Sequence, residues 1–363
     1  MLIEVTQLLK EKEVAKGAGI IRDGGLVAFR TETVYGLGAD ATNAAAVRKI
    51  FTAKARPTDN PLIVHFANVR MVKKYFPDMD AVTRDVFRRV KHGLTIVMPK
   101  PSGVQEIASE ALGGHETVAV RIPAEGFARK FIKSCGVPLV APSANTSTRP
   151  SPTRWQDVYD DLNKRIDAIF IGKQTRMGLE STVVRIVEYI AEVVKGGENV
   201  QETRHRLEVL RRGAVSVELL EKKTKMPVEV ITEVAKKKNS PGNKYKHYAP
   251  ACQLFVAPLC RDMVDMVKAF AADKNAVVIC HDRNLKRYAE IPVVGYGKNA
   301  KTIAAKLFAT IREAERMVSG DTNEIDLAAA KQQVIIVEDV PNKGEYATIR
   351  ERLGKASMGQ VVS

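Results

Sequence analysis

A chain of 363 residues exceeds what one hydrophobic core usually organises, so two compact units are expected. Hydrophobic residues at 45% and charged residues at 27% exclude a disordered chain, and the net charge of +15 implies a field that draws in polyanions such as nucleotides or RNA. Solvated lysines with no partner would explain that charge equally well. Cys135, Cys252, Cys260 and Cys280 form no C-x-x-C pair and are too sparse for a disulfide framework, which fits a reducing cytoplasm. The opening residues lack the apolar core of a signal peptide, and no apolar run approaches the ~20 residues that span a bilayer.

From the first residue to about 222, short β-like runs alternate with amphipathic stretches, the pattern of a mixed α/β domain. Strands are expected at Leu26 to Phe29, Leu62 to Phe66, Thr95 to Met98, Thr117 to Ile122, Leu139 to Ala141, Ala168 to Ile171 and Ser181 to Ile186. Each is short and aliphatic or β-branched, as a buried strand requires. Residues 223–250 contain a lysine run followed by Ser240-Pro241-Gly242 and then Asn243, Lys244, Tyr245, His247 and Tyr248. Punctuation of that kind marks a linker, and its aromatic and basic content suggests a segment that contacts something. From 251 to 363 the order becomes strand (Gln253 to Ala257), helix (Asp262 to Ala272), strands (Ala276 to Cys280, Pro292 to Tyr296), helix (Lys301 to Val318) and strand (Val334 to Val337). Ile303, Leu307 and Ile311 share one face of the second helix. A small doubly wound α/β domain follows.

Several loops carry candidate chemistry. No Walker A sequence or dinucleotide fingerprint is present, so a bound nucleotide must be held by other means. Thr31 to Gly38 combines hydroxyls with glycines after a strand, where backbone can approach a small ligand. Lys54 and Arg56 precede a proline-stiffened loop that leads into the strand holding His65, an arrangement suited to a triphosphate, although a solvated basic loop has the same spelling. Ser143 and Asn145 follow a buried strand. With no assignable histidine and acid partner, Ser143 is assigned to binding rather than to covalent attack. Glu180 and Ser181 stand at the entrance of another strand, where turn or cap chemistry serves equally well. The six histidines are scattered, so no metal held by protein ligands is expected.

Taken in order, these segments resemble the long, two-domain form of threonylcarbamoyl-AMP synthase. The resemblance rests on T-E-T-V-Y-G-L-G, K-x-R-P-x-x-N-P-L, T-V-A-V-R-I-P, P-S-A-N, G-x-E-S-T-V-V, L-R-x-G-A, S-P-G-x-K-Y-K-H-Y-A-P and a closing R-L-x-K-A, spread over nearly the whole chain. It implies a YrdC-like mixed-sheet α/β catalytic domain, a linker that folds over its cleft as a lid, and a smaller Rossmann-like α/β C-terminal domain. It further implies that L-threonine, bicarbonate and ATP become threonylcarbamoyl-AMP and pyrophosphate, for N6-threonylcarbamoyladenosine modification of tRNA by a downstream transferase machinery. Magnesium would arrive with ATP. Carried onto this chain, the ATP site would use Lys54, Arg56, Asn60, Ser143, Asn145, Ser151 and Arg211, with Lys54 and Arg56 catalytic. The threonine site would use Thr33, His65, Thr117, Arg121 and Ser181.

Four positions depart from the family pattern. Arg30 precedes T-E-T where proline is usual and could add a phosphate contact; Arg185, Arg212 and Asn243 also differ, and an apparent insertion separates Val187 from Leu207. The competing reading is an RNA-binding module that uses a basic concave surface.

Overall fold

The computed structural model describes residues 5–100, 107–195, 198–231, 248–320 and 333–362. Of the expected lid, Asn243, Lys244, Tyr245 and His247 lie outside the described residues, and Tyr248 lies within them. The first unit runs β1 (Gln7–Lys10), α1 (Val14–Arg22), β2 (Val27–Arg30), β3 (Tyr35–Asp40), α2 (Ala44–Lys54), β4 (Ile63–His65), α3 (Val69–Tyr75) and α4 (Ala81–Arg89). It continues through β5 (Leu94–Pro99), β6 (Thr117–Arg121), α5 (Gly126–Cys135), β7 (Leu139–Val140), α6 (Trp155–Leu162) and β8 (Ala168–Ile171). A long hairpin, β9 (Thr182–Lys195) and β10 (Glu198–Arg211), then leads to α7 (Val217–Thr224) and β11 (Val228–Val230).

Among the described residues these strands form one mixed sheet ordered β1-β8-β2-β3-β7-β4-β6-β5-β9-β10-β11. Strand alternation decides what faces the core. Val118 and Val120 of β6 enter it, which turns Arg121 to the opposite face; Val64 of β4 does the same and turns His65 outward from the core. On α2, the Asn43 side chain accepts from the Ala45 and Ala46 N–H groups, and Ala55 ends the helix in the left-handed region at φ 49°. That pair of caps fixes Lys54 in the last turn.

The second unit runs β12 (Gln253–Ala257), α8 (Met263–Ala271), β13 (Asn275–His281), β14 (Val293–Gly297), α9 (Ala300–Ser319), β15 (Gln333–Glu338) and α10 (Tyr346–Ala356). Its strands are all parallel, in the order β12-β15-β13-β14. Val277 and Ile279 pack with Ile303, Leu307 and Ile311 of α9, whereas Ala276, Val278 and Cys280 pack with Val264 and Val267 of α8. Both faces of the sheet are therefore covered, as a parallel sheet requires.

Three features differ from expectation. Tyr35 to Asp40 is a buried strand rather than a glycine loop: it pairs with β2 and β7, and Gly38 leaves room for the Phe29 ring, which would lie 3.0 Å from a Cβ there. The insertion after Val187 is the outer part of the β9–β10 hairpin, which pairs from Val183↔Arg211 to Lys195↔Glu198. The larger sheet also continues past the boundary expected at 222, since Val228 to Val230 pair with Leu207 to Val209. Among the described residues no helix is long and apolar enough to cross a membrane.

Candidate active site

The carboxyl ends of β4 and β6, the loops after α2 and β7, and the entrance to β9 enclose a cavity of about 230 Å³. Three residues with left-handed backbone, Ala55 (φ 49°), Thr148 (φ 78°) and Tyr248 (φ 64°), line it, so strain is concentrated around this hollow.

Its electrostatics are one-sided. Among the described residues Lys54, Arg56 and Arg211 line the cavity and make no ion pair, and Glu180 is the one carboxylate on its wall. Lys54 is 1% exposed; its Nζ donates to the Ser143 carbonyl and, at 2.5 Å, to the Asn145 carbonyl. An ammonium has three donors, so one remains for the cavity. Burial, with the Arg56 charge beside it, pushes the Lys54 pKa well below its ordinary value. Arg56 donates from Nε to the Asn60 carbonyl at 3.3 Å and from Nη2 to the Pro61 carbonyl at 3.2 Å. Burial, and then the facing Arg211, lower its pKa to about 10. Cations crowded in this way are relieved by an anion between them.

The floor is a buried network. Arg121 Nη2 meets Glu32 Oε1 at 2.8 Å and Thr33 Oγ1 at 2.7 Å, while the Gly93 N–H donates to the same carboxylate oxygen at 3.0 Å. Burial alone would raise the Glu32 pKa, but the Arg121 charge and these hydrogen bonds hold it near 2. His65 is 1% exposed, and burial followed by the Arg121 charge depresses its pKa to about 3, so the ring is neutral. Its Nδ1 lies 3.1 Å from the Ile63 carbonyl, which can only accept, and Nε2 is therefore left as an acceptor. Ser181 Oγ pairs with Thr95 Oγ1 at 2.7 Å, and Arg211 Nη2 donates to the Ser181 carbonyl at 2.8 Å.

Several wall atoms are buried with no hydrogen-bond partner: Asn60 Oδ1, Asn145 Oδ1, Ser147 Oγ, Arg121 Nε and Arg211 Nε. Orphaned polar atoms are rare in native interiors, and these five on one wall offer hydrogen-bond partners to a polar ligand.

Of the residues singled out from sequence, Lys54, Arg56, Asn60, His65, Arg121, Ser143, Asn145, Ser151, Ser181, Arg211 and Tyr248 all line this cavity. Thr33 stands one layer back, holding Arg121. Thr117 is a correction: it is exposed at the start of β6, paired with Pro99 at the far end of the strand from Arg121, and does not reach the cavity. Arg30 is another, since it bridges Glu11 at 3.0 Å and Glu125 at 3.1 Å away from the cavity wall. Arg185 pairs with Glu208 across the hairpin. Sequence reasoning missed Arg149, which lines the cavity while paired with Glu315 at 2.8 Å, and Arg352, whose Nε reaches Glu180 at 3.1 Å. The closing R-L-x-K-A was the signal for Arg352, but nothing in its spelling points to this site. Among the described residues no group of three or more His, Cys, Asp or Glu is placed to hold a metal ion.

Fold and cavity together define a two-unit α/β protein with a small, concave, cationic binding hollow. Residues 19–197 match the family described as "Telomere recombination", and residues 198–358 match the family described as "Threonylcarbamoyl-AMP synthase, C-terminal domain". A Pyrococcus abyssi protein named threonylcarbamoyl-AMP synthase is 33% identical over 371 residues, covering 100% of this chain and 99% of that one. A Bacillus subtilis protein of the same name is 33% identical over 368 residues, covering 99% and 98%. The crystal structure of a P. abyssi protein complexed with L-threonine superposes with a TM-score of 0.79 at 31% identity, covering 99% of this chain and 98% of that one. The chain belongs to the threonylcarbamoyl-AMP synthase family.

Proposed function

We propose that this chain condenses L-threonine, bicarbonate and ATP to threonylcarbamoyl-AMP with release of pyrophosphate. The observation that carries the reading is the pairing, in one cavity, of unneutralised Arg56 and Arg211 with the neutral His65, Ser181 and the orphaned Arg121 Nε. The cations suit the triphosphate. The uncharged acceptor, the hydroxyl and the guanidinium suit an amino acid, whose ammonium, hydroxyl and carboxylate need partners of those kinds.

In this scheme the threonine nitrogen takes up bicarbonate with loss of water, and a carbamate oxygen then attacks the α-phosphorus as the bond to pyrophosphate breaks. Arg56, Arg211 and the remaining Lys54 donor neutralise charge gathering on the departing pyrophosphate. Lys54 also fixes the Ser143 and Asn145 carbonyls, so that loop is set before nucleotide arrives. Asn60, Asn145 and Ser151 complete the nucleotide side. Glu180 is already engaged by Ser151 and Arg352, so magnesium travels on the phosphates and not on a carboxylate cluster. The adenylate is then consumed by a transferase acting on tRNA. We place the protein in the cytoplasm because Cys135, Cys252, Cys260 and Cys280 are all free.

An RNA-binding module is not favoured, because the unpaired cations line a concave hollow of about 230 Å³, far too small for a duplex. The deciding experiment measures pyrophosphate release from ATP by purified protein with threonine and bicarbonate supplied singly and together. Release only when both are present is expected. Release that ignores either one would remove this reaction from consideration.

A further inference from the structure

The second unit engages the cavity wall through Arg352 as well as through Glu315, the partner of Arg149. Arg352, on α10, is fully buried at 0% exposure. Its Nε donates to Glu180 Oε2 at 3.1 Å and its Nη2 to the Arg212 carbonyl at 2.7 Å. The other Glu180 oxygen accepts from Ser151 Oγ at 2.6 Å. Glu180 immediately precedes Ser181, and Arg212 immediately follows Arg211, so a single guanidinium ties together the two segments that present those cavity residues. The same helix adds a second tie, Thr348 Oγ1 donating to the Gly213 carbonyl at 3.2 Å.

Charge gives this arrangement a further consequence. Glu180 is 7% exposed and stays ionised, its pKa lowered below the ordinary value: burial opposes this, and the charges of Arg352 and Arg211 outweigh it. A buried carboxylate that loses its partner must find another cation. Arg211 is the cation at hand, since it already feels Glu180, forms no ion pair among the described residues, and has an unpartnered Nε. Were Glu180 to take Arg211, the cavity would lose one of its free positive charges.

We infer that Arg352 is a positioning residue for the cavity: by engaging Glu180 it keeps this carboxylate off Arg211, which is left free for the anionic part of the substrate. The second unit thus completes the binding site of the first. The identity of that anion rests on the reactants proposed above, whereas the control of Arg211 by Arg352 does not.

The test uses the full chain with R352M, E180Q and the double variant R352M/E180Q. Inorganic tripolyphosphate binding is measured by calorimetry, and KM for ATP and kcat by pyrophosphate release at saturating threonine and bicarbonate. R352M is expected to weaken tripolyphosphate binding and raise KM by about tenfold each, with kcat changed by less than about threefold. Adding E180Q to R352M should bring binding back to within about threefold of the parent, because no carboxylate remains to capture Arg211. A double variant that binds as weakly as R352M, or an R352M that binds like the parent, overturns the inference. Should R352M not fold, E180Q and R352M/E180Q decide, since without the carboxylate they should bind tripolyphosphate alike, and a tenfold gap between them is equally fatal. If the parent releases no pyrophosphate, the proposed reaction fails while the tripolyphosphate measurement still judges Arg352.

Discussion

Arg121 and Glu32 face each other at 2.8 Å with side chains only 5% and 0% exposed, in the floor of a cavity where Lys54, Arg56 and Arg211 form no ion pair among the described residues. Breaking such a pair leaves a buried charge alone, so Glu32→Gln should cost about 3–5 kcal/mol of folding stability. The pair also has a pH signature. With the folded carboxyl near 2 and the unfolded one near 4.5, its contribution is complete above pH 4.5 and is lost as pH falls toward 2. Urea unfolding between pH 7 and pH 3 checks this; equal acid sensitivity in the parent and Glu32→Gln would separate the ion pair from stability.

His65 acts in the opposite sense to a typical pH switch. The unfolded imidazole titrates near 6.5 and the folded one near 3, so the unfolded state takes up a proton that the native state refuses. Native stability is therefore greatest above pH 6.5 and declines as pH falls below it, by about 1.4 kcal/mol per pH unit from this group. His65→Gln should remove that part of the slope between pH 6.5 and pH 4.5. It should also leave pyrophosphate release without any new limb near pH 6.5, because the native ring never carries charge there.

Arg56 and Arg211 hold the free charge of the cavity. Replacing either by alanine should reduce kcat/KM for ATP by an amount equivalent to ~2–4 kcal/mol, the range for losing one charged donor in a closed site. Lys54→Ala should behave differently, since it also releases the Ser143 and Asn145 carbonyls. Its thermal midpoint should fall along with its activity, and further than that of Arg56→Ala, whose bonds to the Asn60 and Pro61 carbonyls are longer, at 3.3 and 3.2 Å.

Gly213 makes a steric prediction. A Cβ there would lie 2.3 Å from the Ser181 carbonyl carbon and 2.4 Å from the Thr182 nitrogen, both backbone atoms that cannot step aside. Gly213→Ala should cost about 1–3 kcal/mol of stability and should weaken ATP binding, because Arg211 and Ser181 are held across this contact. Parental ATP affinity in a folded Gly213→Ala would show that the close approach serves packing alone.

Much of the fold was legible because its cores are written in unbroken aliphatic runs. Ala168 to Ile171 and Gln253 to Ala257 appear as strands within the very bounds expected, and the four-residue spacing of Ile303, Leu307 and Ile311 placed them on the buried face of α9. β3 was hidden because its glycines spell a turn, whereas Gly38 makes room for the Phe29 ring and Gly36 for Ala141, both on neighbouring segments. β10 was hidden because charges alternate along an exposed ribbon. The candidate site was legible only as loops with suggestive residues; the resemblance grouped them. Spacing alone could not have found Arg352, whose partner Glu180 lies 172 positions away. Thr117 was misplaced because its strand carries Arg121 to the cavity at the other end.

The seam between the two matched families falls between residues 197 and 198, in the chain between β9 and β10, yet the first sheet takes in strands as far as Val230. Anyone dissecting the protein at that seam would strand β9 with a bare row of amide and carbonyl groups, an invitation to self-association. Cutting beyond Val230 instead keeps the ribbon whole, so that loss of catalysis in such a fragment would reflect the missing second unit and not a frayed edge.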